Sequence, residues 1–129
     1  MDTLDYIEPF WSSKPIAPVW VDMIKEGVML DTLDLSTKAF YLVGREAETC
    51  DVCLANPMVS RKHAIIQHKD TGDVYLYDLG STHGTYVNKK SVRPFEYVKL
   101  KMGDMIRFGQ STRLLVINWD REEEETDES

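Results

Sequence analysis

The chain has 129 residues and a formal net charge of −7, from 22 acidic and 15 basic side chains. That length fits one domain, two at most, and is enough to build a core without disulfide or metal staples. No apolar run approaches the roughly 18 residues of a membrane-spanning helix, and two cysteines cannot make a disulfide framework or a four-ligand zinc site.

The N-terminus, MDTLDYIEPF, has neither a basic n-region nor an apolar h-region, so no secretory signal is expected. With so few cysteines, this favours a reducing, intracellular compartment. Residues 9–18, PFWSSKPIAP, hold three of the five prolines, which disfavours both helix and central strand. Residues 1–18 are therefore expected to form an extended arm, tacked to the domain by Phe10 and Trp11. Residues 1–13 carry three acids and no base.

From Trp20 the pattern changes. Trp20 to Ile24 and Val28 to Leu30 flank Lys25-Glu26-Gly27, which reads as a hairpin. Short apolar runs follow at 39–43, 52–54, 64–67, 74–79, 85–87, 97–100, 105–108 and 114–117. They are rich in β-branched and aromatic residues. Turn signals separate them, among them Asn56-Pro57, Asp70-Thr71-Gly72-Asp73, Arg93-Pro94 and Gly103-Asp104. No segment shows a clear 3.6-residue period. About ten short strands without a helix predict an all-β sandwich or barrel over residues 19–119.

The last ten residues, DREEEETDES, hold seven acids and one base. After Trp119 nothing apolar remains to be buried, so residues 120–129 are expected to be a disordered acidic tail. The rest of the chain, residues 14–119, has 14 bases against 12 acids. The domain is thus mildly basic between two acidic ends.

Three loops between predicted strands carry chemistry. They are Gly44-Arg45, then Ser60-Arg61-Lys62-His63, then Asp78-Leu79-Gly80-Ser81-Thr82-His83-Gly84-Thr85. Together they offer guanidinium groups, hydroxyls and glycine-freed backbone N–H groups, a set suited to an anion with several oxygens. No carboxylate cluster accompanies them to hold a metal ion, and no cofactor is expected. Cys50-Asp51-Val52-Cys53 is a C-x-x-C, but the βαβ setting of a redox site is missing. Packing of the thiols is the expected role. Gly80-Ser81-Thr82-His83-Gly84 fails as a nucleophile elbow, because threonine stands where serine is needed and the loop joins two strands. An enzyme is not expected.

The order G-R, S-x-x-H, D-x-x-S-T-x-G-T and then Asn88, all between short strands, resembles the forkhead-associated (FHA) domain family over about residues 20–118. The resemblance implies an eleven-stranded β-sandwich that binds phosphothreonine peptides through loops at one end. It implies that Arg45 and Ser60 bind the phosphate. Arg61, Ser81, Thr82 and His83 would contact the phosphate or the peptide beside it, and Gly44, His63, Gly84 and Asn88 would support the loops. His83 stands where most of the family has asparagine. Asp78 is expected to be structural, and His68 to be a strand-face residue without a special role. S-T-H-G-T and the later F-G-Q-S-T-R resemble a subgroup associated with nuclear RNA processing, which implies a nuclear location.

The expected function is phosphothreonine-dependent protein recognition by a monomer, with no direct nucleic-acid or membrane partner. The alternative is a phosphate-independent scaffold that uses a strand face or the arm. By charge alone, the acidic tail would compete weakly for the phosphate site.

Overall fold

The computed structural model describes residues 4–120. Eleven strands follow in chain order: β1 (Val19–Lys25), β2 (Val28–Asp34), β3 (Phe40–Gly44), β4 (Val52–Cys53), β5 (Ala64–His68), β6 (Val74–Asp78), β7 (Thr85–Val87), β8 (Lys90–Ser91), β9 (Tyr97–Lys99), β10 (Met105–Phe108) and β11 (Arg113–Trp119). No helix occurs among the described residues. The strands form a six-stranded sheet in the order β2-β1-β11-β10-β7-β8 and a five-stranded sheet in the order β4-β3-β5-β6-β9. Of the sandwich or barrel expected from the strand pattern, the sandwich implied by the FHA resemblance is the observed fold. From residue 121 on, the expected disordered tail lies outside the described residues.

The β1–β2 hairpin turns at Glu26 and Gly27, both with positive φ (50° and 79°), the geometry that suits the right-handed twist of the flanking strands. β2 ends the six-stranded sheet as an exposed edge. The core lies between the sheets. Val21, Ile106, Phe108, Leu115 and Ile117 face Val43, Ile66 and Leu76, all fully buried. β6 shows the strand alternation clearly: Val74, Leu76 and Asp78 point inward, while Tyr75 and Tyr77 are half-buried on the other face.

β5 does not alternate, since all five of its residues are buried. The cover over its outer face is the N-terminal arm. Tyr6 donates to Gln67 Oε1 at 2.6 Å and lies 2.8 Å from the Tyr97 hydroxyl. Its ring meets Phe40 and Tyr77 edge-on at 5.1 and 5.4 Å. Trp11 packs on Tyr75 and Tyr97, with Lys69 over its ring. Ser12 pairs with Lys69 in a β-bridge, and its Oγ accepts from Gln67 Nε2 at 2.7 Å. The arm is therefore folded onto the five-stranded sheet. Of the two residues expected to tack it down, Trp11 does so, while Phe10 is 98% exposed. Burial with partly paired hydroxyls pushes the Tyr6 phenol well above its ordinary value.

His68 is a strand residue, in β5, as expected, but it also has a packing role there. It is buried, and its Nε2 donates to Leu35 O at 2.7 Å. Its Nδ1 has no partner among the described residues.

Candidate functional site

The registers put the chemistry-bearing loops at one end of the sandwich. Val43 faces Ala64, Ala64 faces Asp78, and Phe108 faces Thr85. The segments after β3, before β5, between β6 and β7, and after β10 must therefore meet there. Arg45, Ser60, Thr82 and His83 line one concavity of about 180 Å³ together with Pro57, Met58 and Val59.

Arg45 is exposed but oriented. Its backbone N–H donates to Ser60 O at 3.0 Å, and its side-chain Nε donates to Val59 O at 2.8 Å. That bond anchors one edge of the guanidinium plane. The terminal nitrogens make no hydrogen bond or ion pair among the described residues, which leaves a planar fork of donors for an anion. Ser60 Oγ accepts the N–H of Thr82 at 3.1 Å. Its own O–H remains a donor. Thr82 is exposed and His83 half-buried.

Two buried groups hold these loops. His63 is fully buried. Its Nδ1 accepts the Ser60 N–H at 3.0 Å, so Nε2 carries the ring proton and donates to Gly84 O at 2.9 Å. One imidazole thus joins the loop before β5 to the loop before β7. Burial pushes its pKa below the ordinary value, against the Gly84 carbonyl and the Asp78 carboxylate, which favour the charged form. Asp78 is the second brace. Its Oδ2 accepts the N–H groups of Gly80 and Ser81, and its Oδ1 accepts the hydroxyls of Ser81 and Thr85. The structural role expected of Asp78 is the one its contacts describe. A carboxylate so engaged points into the loop rather than at a ligand.

Gly44 is required by close approach. A methyl group there would lie 2.2 Å from Arg61 O and 2.8 Å from Cys50 Sγ. The Cys50 and Cys53 thiols donate to Arg61 O and Arg45 O at 3.1 and 3.4 Å, and burial pushes the Cys50 thiol up. Gly84, at φ 84°, directs its carbonyl to His63 Nε2 and to Gly109 N.

Three expected residues stand apart from the concavity. Ser81 is half-buried, and its hydroxyl donates to Asp78 Oδ1 at 2.7 Å; it faces inward, whereas the neighbouring Thr82 faces out. Arg61 is exposed beside the pocket, 3.9 Å from Glu46, which also pairs with Lys62 at 3.4 Å. Asn88 sits in the β7–β8 turn at φ 50°, at the opposite end of β7. Its side chain bonds Asp104 and the Met105 N–H. It braces that turn and β10, not the loops. Pro57, Met58 and Glu46 are additions that sequence reasoning missed. The Asn56-Pro57 turn signal was the one pointer to the first two.

Two sheets joined into a sandwich, with an arginine, a serine and a threonine gathered on loops at one end, define a class of interaction module. The FHA domain family model matches residues 41–109, more than half of the chain, and the chain belongs to that family. It is 40% identical over 132 residues to human kanadaptin (Homo sapiens), covering 95% of this chain and 18% of that protein. It is 33% identical over 106 residues to the nuclear inhibitor of protein phosphatase 1 of Homo sapiens, covering 81% of this chain and 30% of the relative. The chain therefore spans less than a third of either relative. A solved structure described as "Structural and functional analysis of phosphothreonine-dependent FHA domain interactions" superposes with a TM-score of 0.66 at 27% identity. It covers 81% of this chain and 98% of that one.

Proposed function

We propose that the chain is a phosphothreonine-dependent protein-recognition module, working through the loops that carry Arg45, Ser60, Thr82 and His83. The observation that carries this reading is the Arg45 guanidinium, held beside Ser60 through Nε by Val59 O at 2.8 Å, with its terminal nitrogens unpaired among the described residues. A threonine phosphate carries roughly −1.5 to −2 charges at pH 7. Arg45 forms charge-assisted hydrogen bonds to its oxygens, and the Ser60 O–H donates a further bond. Thr82 and His83 meet the peptide next to the phosphate, and Arg61 meets its flanking residues.

In this reading, residues 19–119 form the recognition domain and residues 1–18 an arm that completes it. The solved FHA structure described by its phosphothreonine-dependent interactions supports the ligand class. Family membership supports an interaction role over catalysis. The relative named as a nuclear inhibitor supports a nuclear location. The scaffold alternative gains nothing from the arm, because Tyr6 and Trp11 are engaged within the molecule.

A panel of matched threonine, phosphothreonine and phosphoserine peptides, titrated against the full chain, tests the proposal. Micromolar binding, about −8 kcal/mol, is expected for phosphothreonine peptides, with weaker binding of phosphoserine and none of threonine. Equal binding of phosphorylated and unphosphorylated peptides would overturn it.

A further inference from the structure

Phe95, on the segment between β8 and β9, has its backbone in the left-handed region, at φ 64°. That conformation strains a bulky side chain, and strained residues gather at ligand sites. Glycine would hold the same backbone without strain, yet the chain places an aromatic ring there and leaves it 60% exposed.

Two contacts fix this ring beside the loops of the proposed phosphate site. The Phe95 N–H donates to Asp78 O at 2.9 Å, and Pro94 forms a β-bridge with Asp78. The Asp78 carboxylate in turn holds the N–H groups of Gly80 and Ser81. The tip of the ring lies against Gly80, where a Cβ would stand 2.7 Å from the ring Cζ. The Tyr77 ring is 6.3 Å away.

With Leu4, Asp5, Lys62 and Leu79, Phe95 lines a concavity of about 310 Å³. Three of the five lining side chains are apolar. Asp5 and Lys62 carry opposite charges, and Lys62 pairs with Glu46 at 3.4 Å, so the site favours neither an acid nor a base as occupant. The concavity is continuous in sequence with the one at Arg45. Lys62 comes two residues after Ser60, and Leu79 three residues before Thr82. The Cα atoms of Leu79 and Thr82 are therefore about 11 Å apart at most. An extended peptide covers that span in roughly three to five residues.

We infer that Phe95 is a specificity residue: the concavity it lines takes a large apolar side chain of the bound phosphopeptide, outside the three loops that meet the phosphate. This rests on the phosphothreonine-dependent reading and adds a selected flanking residue to it.

A leucine scan tests the inference. A phosphothreonine peptide with alanine at every flanking position receives a single leucine, moved in turn through roughly five positions on each side. Each peptide is titrated against the full chain and its Phe95→Gly and Phe95→Tyr variants. Glycine accepts the positive φ, so Phe95→Gly removes the ring without straining the backbone, and its melting temperature verifies the fold. One leucine position is expected to tighten binding about tenfold in the wild-type chain and in Phe95→Tyr, and to give no gain in Phe95→Gly. The all-alanine peptide should bind the wild-type chain and Phe95→Gly alike. A gain that survives Phe95→Gly, no gain at any position, or a larger gain from glutamate or arginine at the selected position would overturn the inference and leave the phosphothreonine reading standing. Equal binding of the unphosphorylated peptides would remove that reading, and the inference with it.

Discussion

Ser60 Oγ accepts the backbone N–H of Thr82 at 3.1 Å, a bond that spans 22 residues of sequence and joins the two loops of the proposed phosphate site. The hydroxyl thus positions one loop with its lone pair and keeps its proton for a ligand. Ser60→Ala removes both. Phosphopeptide affinity should fall by roughly 10- to 100-fold, the loss expected for a hydrogen bond to a charged group. Stability should fall by only about 1 kcal/mol, because the exposed Thr82 N–H can turn to water. Titration and thermal melts of the variant check both figures. An unchanged affinity would reduce Ser60 to a loop tie.

His63 should matter to stability more than to contact. His63→Ala leaves the Ser60 N–H and one bond to Gly84 O unmade and opens a cavity against Phe108, whose ring lies 5.5 Å away. A loss of about 3 kcal/mol is expected, read from denaturant midpoints.

The same burial makes folding pH-dependent. His63 and His68 both have folded pKa values below their ordinary one. As pH falls below about 6.5, the unfolded chain takes up protons that the folded chain refuses. Their contribution is therefore complete above that pH and is lost as pH falls toward the folded values. Denaturation midpoints between pH 7.5 and 5 should drop, and His68→Gln should make the drop shallower. A flat profile in the wild-type chain would contradict the burial of both rings as neutral groups.

Gly44 and Gly27 offer a matched contrast. At Gly27 a methyl group meets nothing within 4 Å, but φ is 79°, so Gly27→Ala should cost about 1 kcal/mol of backbone strain. At Gly44 the methyl group would meet Arg61 O at 2.2 Å. Gly44→Ala should cost about 3 kcal/mol and displace Arg45, weakening phosphopeptide binding, whereas Gly27→Ala should bind normally. Melting temperatures and titrations of the two variants separate strain from collision.

The arm should behave as part of the domain. Trp11→Ala removes contacts to Tyr75, Tyr97 and Lys69 and should cost about 2 kcal/mol. It should also open the arm to proteolysis. Phe10→Ala, at a 98% exposed position, should change stability by less than about 0.5 kcal/mol.

The strands and the chemistry-bearing loops were legible because each has local chemistry: short runs of β-branched and aromatic residues for the strands, and glycines, hydroxyls and arginine for the turns between them. What escaped depends on contacts distant in sequence. β8 is two exposed residues, Lys90 and Ser91, with no apolar signal. Ser81 and Thr82 are adjacent hydroxyls, and only the Asp78 carboxylate decides that the first turns in. Tyr6 sits in a segment without periodicity, yet a pointer to its role lay elsewhere. Ala64 to His68 lacks strand alternation, and Gln67 lies in the middle of it, so both faces had to be covered and the amide needed partners. Those partners are Tyr6 and Ser12. Asn88 failed for a related reason: motif order placed it near the site, while the register of β7 carries it to the other end.

Calorimetric titration of one phosphothreonine peptide, selected from the panel, against the full chain and its Arg45→Ala variant tests the central claim most directly. The account predicts micromolar binding to the wild-type chain and a loss of at least about 100-fold in the variant, equivalent to roughly 2.7 kcal/mol, with the melting temperature unchanged. Binding of equal strength to a correctly folded Arg45→Ala protein would contradict it.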